Sequence, residues 1–509
     1  MINNKISVIY CLILSIFIFT SCDKGKENKI TENMNYTDFK GQRIGVVTGS
    51  LMEGTTLRIG SIPVAYNDSA SGIEDVKQGR ISGFMHTLVA SKVITEELNK
   101  VNNRLASQSI EVIPIPKELY IIGIGGISIN QNIITQFNEF FDNLRTDGVL
   151  QEIQDRWFTN FPDLKTPLPN FPNSGANGVL RIAINSDAMP FVFSAENNTY
   201  SGYSIEIVLR FGAYLNRVVE FIDMDFSALI PYIVSGRADM GFQAIGITEE
   251  RKRNVIFTDP IWEDQHAIIV LNNNKEANYS LSSFISWIEI SIERNLITDN
   301  RYKMIIDGLK VTMIISLFSQ LLGTIFGSFI CYLLERKNRL VRWLGKFYCG
   351  LINGTPMVVL LMITYYIIFG GTRISNITIA IMAFTMMTGA SVAQILKGAI
   401  DTVDTVEIEA ARSIGYSALK SFLKVTLPQA VKRAVPSYTK AFVELVKATA
   451  IVGFIAIQDL TRAGDIIRSR TYDAYFPILF IALIYLSVTT ICVLLFKYLI
   501  DKMNSRGAK

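Results

Sequence analysis

The sequence predicts an α/β region in two lobes followed by an all-α region of five membrane-crossing helices. Composition gives the first indication: of 509 residues, 49% are hydrophobic and only 18% charged. Soluble chains average about 25% charged residues, so a sizeable part of this one must face lipid. The pattern of apolar residues gives the second. Up to residue 272, short β-branched runs such as Arg43-Ile44-Gly45-Val46-Val47 and Leu180-Arg181-Ile182-Ala183-Ile184 alternate with amphipathic stretches. From residue 304 the runs are long instead, at about 305–334, 347–371, 376–400, 440–460 and 474–500. Each is long enough to cross a bilayer as a helix. The third indication is where the basic residues fall between those runs.

At the amino terminus, Lys5 precedes an apolar run from Ile6 to Thr20. That run is shorter than the about 20 residues a spanning helix needs, and fits the apolar core of a secretory signal. It ends in Phe19-Thr20-Ser21-Cys22, which resembles a bacterial lipoprotein signal, with Phe19 in place of the usual Leu. The resemblance implies cleavage after residue 21 and a lipid on Cys22. Residues 22–35 then read as a polar tether. The α/β region comprises 36–158 and 179–275, joined by a linker at 159–178 that is rich in Pro and Asn. A connector, 276–303, leads to the helical region, 304–503.

Charge orients that region. The loop after its first segment holds Arg336, Lys337, Arg339, Arg342 and Lys346. The loop after the third holds Arg412, Lys420, Lys424, Lys432 and Arg433, and the tail holds Lys497, Lys502, Arg506 and Lys509. Of the remaining loops, one has Arg373 alone. The other sets Arg462, Arg468 and Arg470 against Asp459, Asp465 and Asp473. The positive-inside rule places the basic loops in the cytoplasm and the α/β region outside. The expected location is the bacterial cytoplasmic (inner) membrane, as a multi-pass protein.

Several classes are excluded. A net charge of +4 is too small to suggest a nucleic-acid partner. Two histidines and five scattered cysteines make a zinc site unexpected. No Gly-x4-Gly-Lys-Ser/Thr phosphate loop occurs, so ATP is not bound in that way. No nucleophile–base set or cofactor loop stands out. The chain is read as a non-enzyme that carries no cofactor and no metal.

The long basic loop reads Glu409-Ala410-Ala411, three residues, Gly415, nine residues, then Val425-Thr426-Leu427-Pro428. It resembles the EAA loop of polar amino-acid ABC-transporter permeases. In that family the loop docks on a separate cytoplasmic ATPase. Small alanines permit close approach, Glu409 anchors, and Gly415 permits a turn that a Cβ would oppose. Further matches are Gly308-Leu309 with Thr312, Gly354-Thr355-Pro356 after Asn353, and Lys447-Ala448-Thr449. The resemblance covers about 300–500. It implies an ATPase dimer and a second permease chain, a homodimer for preference, as partners.

Residues 179–272 contain Met189-Pro190-Phe191, Gly202-Tyr203-Ser204-Ile205-Glu206-Ile207, Phe226 and Gly236-Arg237-Ala238-Asp239. They continue with Gly246-Ile247-Thr248-Glu249-Glu250-Arg251 and Phe257-Thr258-Asp259-Pro260. This series resembles the first half of a periplasmic amino-acid-binding protein of the family 3 type. Residues 36–158, from Asp38-Phe39-Lys40-Gly41 through Thr48-Gly49-Ser50 to Gln154-Asp155-Arg156-Trp157-Phe158, resemble its second half. The halves stand in reverse order, as in a circular permutation of one domain, or else 36–158 is a remnant of a second domain. Old and new ends of such a domain lie close, which makes permutation physically cheap.

The resemblance implies two α/β lobes that close on a solute by hinge motion. It assigns Arg251 as the carboxylate clamp, a role suited to its planar fork. Gly246, Phe226 and Ser50 are candidate pocket members. The family's ammonium-binding acid aligns with Thr87, a poor substitute for a carboxylate. Glu206, Glu263 and Asp264 are the candidates to replace it. Ala188 and Ala244 stand where the family has an aromatic wall and a hydroxyl. His86, beside Thr87, is either a pocket or a core residue. The expected function is the receptor and permease subunit of an ATP-driven importer for amino acids or related small carboxylates. A ligand-gated channel or signalling receptor with the same outer domain is the alternative.

Overall fold

A computed structural model describes residues 34–104, 109–119, 121–159, 168–195, 199–272, 281–370, 372 and 374–506. The expected signal, Cys22 and nearly all of the tether lie outside these residues. The described chain forms two compact units. The first contains residues up to Ile121 together with Asp264–Trp287, and the second Ile122–Glu263 together with everything from Ile288.

The first unit is built on a mainly parallel sheet. Its strands run in the order Ile62–Tyr66, Arg43–Val47, Gly83–Thr87, Trp262–Asn272 and Ser109–Pro114, with the fourth strand belonging to this unit from Asp264 on. The first three are parallel, and Trp262–Asn272 lies antiparallel to both its neighbours, pairing His266 with Thr87 and Ile268 with Ile113. Ile44, Val46, Phe84, Met85 and Ile268 are buried. They form near-continuous apolar runs because helices cover a parallel sheet on both faces. The helix Ser69–Lys77 starts where Asp68 Oδ1 accepts the Ser71 N–H at 2.9 Å.

The second unit begins with a smaller sheet. Its order is Val218–Asp223, Val179–Ile184, Met240–Gly241, Ile127–Ser128 and Ile256–Phe257. The first three strands are parallel, and Ile127–Ser128 is antiparallel to both its neighbours. The helices Gln131–Thr146 and Tyr203–Tyr214 meet through Phe137 and Phe211, whose rings cross edge to face at 5.1 Å. Phe158 stacks on Trp262 at 4.0 Å and touches Tyr203 at 4.8 Å. Such pairs contribute about 0.5–1.5 kcal/mol each beyond their buried area. Residues 127–158, from the carboxyl part of 36–158, are thus folded into one unit with 179–263.

Among the described residues, three helices, all in the same unit, are long and apolar enough to cross a membrane: Tyr302–Leu334, Asn376–Asp401 and Phe476–Tyr498. Two bent pairs, Arg339–Gly354 with Met357–Ile368 (107°) and Ala418–Ile455 with Leu460–Thr471 (54°), raise the number to five if each is one span. The sequence reading treats 347–371 and 440–460 as unbroken helices, and the structure breaks both. Pro356 pushes Thr355 into extended geometry (φ −104°, ψ 127°). Ala456 is left-handed (φ 57°), and Asp459 then caps a new helix.

Tyr302–Leu334 and Asn376–Asp401 pack through small residues. A Cβ on Gly323 would lie 2.6 Å from Thr388 Cβ, and one on Gly327 would lie 2.7 Å from the Gly389 carbonyl oxygen. The Gly-x3-Gly spacing lets two helices approach closely where lipid removes the hydrophobic drive for association.

The change in composition near residue 303 is not a boundary in packing. Met224, Leu229, Tyr232 and Ile233 of the α/β part share one buried cluster with Leu361, Tyr365 and Val452 of the helical part.

Candidate functional site

Three residues expected in the site meet in the second unit. Thr248 caps a short helix, Glu249–Lys252, by accepting the Arg251 N–H at 3.2 Å. The cap turns the half-buried Arg251 back on its own loop, where Nη1 donates to the Gly246 carbonyl at 2.9 Å. Its guanidinium carbon lies 5.5 Å from the centre of the Phe226 ring. A guanidinium on an aromatic face with one edge tied to backbone suits a carboxylate ligand. Beside this group, Gln243 is buried, donates to Asn185 Oδ1 at 3.3 Å, and keeps an Oε1 without a partner among the described residues. Ala188 is buried two residues beyond Ser186.

Glu206 has another use. It is fully buried and accepts bonds from Trp157 Nε1 (2.8 Å), Arg156 Nη1 (2.5 Å) and Arg210 Nη2 (2.9 Å). Two guanidinium groups and an indole occupy its oxygens, fixing Tyr203–Tyr214 against the segment 149–159. This corrects the expectation that Glu206 is free to hold a solute ammonium.

The first unit places Thr87, His86 and Asp264 near one another. Thr87 is buried and pairs in register with His266, two residues past Asp264. Asp264 is 6% exposed; Oδ1 accepts the Gln265 N–H at 2.8 Å, and Oδ2 has no hydrogen-bond partner among the described residues. Burial pushes its carboxyl up to about 6, against the opposing pull of the Gln265 and Val89 N–H groups, the Thr87 hydroxyl and Lys92. Glu263 is exposed. Desolvation holds the His86 imidazole down, to about 4, and its Nδ1 accepts the Thr87 N–H at 2.8 Å. His266 Nδ1 lies 2.9 Å from Thr55 Oγ1, and burial pushes that ring down to about 3. Both histidines are therefore neutral packing groups. Ser50 keeps a buried hydroxyl without a partner among the described residues.

Among the described residues, three side chains, Arg462, Gln458 and Arg237, tie the α/β part of the second unit to its helices. Arg462, 9% exposed, donates from Nη1 to Asp225 Oδ1 at 2.6 Å and from Nη2 to Asp223 Oδ1 at 3.4 Å. Gln458 donates to the Tyr200 hydroxyl at 2.7 Å. Arg237 lies 3.7 Å from the Tyr365 ring centre and donates to the carbonyls of Tyr365 (2.8 Å) and Phe369 (2.7 Å). The sequence reading balanced Arg462 against acids of its own loop. Within that loop the structure pairs Arg468 with Asp465 at 3.2 Å, whereas Arg470 turns to Asp299 and Arg462 to Asp223 and Asp225. Partners 171 to 239 positions apart leave no local spacing to read.

The Glu409 loop folds as a helix, Thr405–Ser413, capped by Asp404. It ends in a Schellman turn: Gly415 is left-handed at φ 93°, its N–H donates to Arg412, and the Tyr416 N–H donates to Ala411. Ala411 is buried, while Glu409 and Ala410 are exposed. Val406, Ile414 (75% exposed), Leu419 and Leu423 form an apolar exposed set on the same segment. Leu427 and Pro428 lie where a wide turn, Phe422–Thr426, passes without a break into the helix Leu427–Ala448, and such turns accommodate a residue with no N–H to donate.

Fold and site together define a membrane transport subunit that carries a solute-binding domain on the same chain. Residues 180–449, more than half of the chain, match the bacterial extracellular solute-binding proteins, family 3, and the chain belongs to that family. The match starts at the strand Val179–Ile184 and runs on into the helices. The helical part is similar to the Probable amino-acid ABC transporter permease protein YckA of Bacillus subtilis, with 30% identity over 202 residues, 40% of this chain and 89% of that one. It is equally similar to the Arginine transport system permease protein ArtQ of the same organism, 30% over 206 residues, 40% and 93% of the two chains. A solved amino-acid ABC transporter matches 44% of this chain and 99% of its own at 28% identity, with a TM-score of 0.37.

Proposed function

We propose that the chain is the receptor and permease subunit of an ATP-driven importer for amino acids or related small carboxylates. The observation that carries this reading is Arg251, laid on Phe226 and tied to Gly246 within a solute-binding family match. The similarity of the helical part to amino-acid permeases supports it. Arg251 takes the solute carboxylate.

Residues 36–158 and 179–275 are one circularly permuted binding domain. Support comes from Trp157, Phe158 and Val179, which lie in the same unit although they belong to opposite expected halves. The domain stands outside the cytoplasmic membrane, with Cys22 as its lipid anchor and five spanning segments behind it. The Glu409–Pro428 loop docks on a cytoplasmic ATPase dimer, through Glu409 and the exposed apolar set around Gly415. A second copy of this chain completes the permease.

The test is binding by the full chain in detergent or nanodiscs. Each of the twenty L-amino acids is added and thermal unfolding followed. At least one should stabilise the wild type. Arg251→Ala should lose ten- to hundredfold in affinity, the value of about 1.5–3 kcal/mol for a charge-assisted bond. A folded wild type stabilised by none of the amino acids and by no small carboxylate would end the receptor reading.

A further inference from the structure

We infer that Arg462 is a positioning residue through which the helical part holds and senses the solute clamp. This rests on the proposed function for the identity of the clamp. The geometry itself is independent of that reading.

Arg462 lies in the first turn of the helix Leu460–Thr471, on the helical side of the second unit. Its two aspartate partners lead to two segments, one of which carries the ring on which Arg251 lies. Asp225 immediately precedes Phe226, the ring on which Arg251 lies. Asp223 accepts the Ser186 N–H at 3.1 Å and the Ser186 hydroxyl at 2.7 Å, and so holds the loop that leads to Ala188. Ser186 is next to Asn185, which Gln243 contacts. One guanidinium thus ties together the segment that carries the Phe226 ring and the loop around Ser186. Asp223 is buried, and desolvation raises its carboxyl against the opposing pull of Arg462 and Ser186. Removing the arginine would take away the largest pull that opposes this rise.

The other end of the link is equally defined. Asp459 caps Leu460–Thr471, and the Leu460 N–H donates to Thr312 Oγ1 at 3.2 Å. A Cβ on Gly308 would come within 2.6 Å of the Asp459 carbonyl oxygen. Gly308 and Thr312 are the two positions of the Gly-Leu-x-x-Thr motif at the start of the first long helix, and this contact gives them a task. The helix Leu460–Thr471 is also bracketed by two left-handed residues that are not glycine, Ala456 (φ 57°) and Tyr472 (φ 49°). Strain at both ends of a short helix marks an element able to shift as a unit. A movement of Tyr302–Leu334 would displace the helix, and through Arg462 both of those segments. By linkage, solute in the clamp would bias the helices in return.

The experiment compares wild type, Arg462→Gln, Arg462→Lys, Asp223→Asn and the double variant Arg462→Gln/Asp223→Asn. Hydrogen exchange of the full chain in nanodiscs, with no solute, reads the link directly. Arg462→Gln should raise exchange at least fivefold in peptides covering 185–191 and 223–227 together. The double variant should be no worse than the more affected single one. Affinity for the stabilising amino acids and uptake of the same compounds by cells read the coupling. Arg462→Gln should weaken affinity and lose at least tenfold more in uptake than in affinity. Arg462→Lys should recover part of the uptake, since its single charge cannot fork to both aspartates. Unchanged exchange in both peptides would overturn the inference, as would uptake and affinity falling in equal proportion. If the wild type binds no amino acid, the proposed function fails, and the exchange result alone still decides whether the link exists.

Discussion

Arg251 and Asp264, in different units, show how differently two charged residues are maintained. Arg251 is half exposed, so its charge is costless to hold, and its value lies in its orientation by Thr248 and Gly246. Asp264 is buried with one oxygen unpartnered, a state that disfavours ionisation. Its carboxyl is raised in the folded protein to about 6. The stability it contributes is therefore full below about pH 4 and is lost as pH rises through about 6. At pH 7.5, Asp264→Asn should stabilise the first unit by up to about 3 kcal/mol, and the gain should vanish near pH 4. Pulse proteolysis of the full chain across that range measures it. Residue identities in the sequence located Arg251, Gly246 and Phe226 as a group. They did not separate Glu206 from Asp264, because only the fold brings Arg156, Trp157 and Arg210 onto one carboxylate.

Helices and their breaks follow local rules that the sequence shows unevenly. The long apolar runs predicted Tyr302–Leu334 and Asn376–Asp401 to within a few residues, since length and apolarity are sufficient signals. Gly354-Thr355-Pro356 is visible in the sequence as a motif, but it lies inside the apolar run 347–371, whose length masks the break. The proline stops one helix and starts the next, at 107°. Close approach of Gly323 and Gly327 to Thr388 and Gly389 leaves no mark in the sequence, because small residues in an apolar run carry no polarity contrast. Gly323→Val and Gly327→Val should each lower the unfolding temperature of the detergent-solubilised chain, at a cost of about 1–3 kcal/mol for forcing volume into a packed interface. Gly350→Ala, where an added Cβ meets nothing within 4 Å, is the control and should leave it unchanged. A loss as large in Gly350→Ala would show that the effect is not one of packing between those two helices.

At the scale of the molecule, composition and charge bias were enough to separate an α/β part from a helical part. The structure adds that this change in character is not where contacts divide. Half of the α/β part packs into the same unit as the helices, held by Arg462, Arg237 and the cluster around Tyr232 and Tyr365. No local pattern announces such a contact, since its partners are 120 to 240 positions apart and each reads as an ordinary surface residue. What joins solute capture to transport in this account is a chain of three stations: the Arg251 clamp, the Arg462 link and the Glu409 loop. The most direct test is uptake, by cells carrying the ATPase partner, of the labelled amino acid that stabilises the purified chain. Wild type should accumulate it. Arg251→Ala should fail because it does not bind. Glu409→Lys should bind with unchanged affinity and still lose at least tenfold in uptake. Accumulation by Arg251→Ala at the wild-type rate would contradict the account, because the solute would then reach the helices without passing through the clamp.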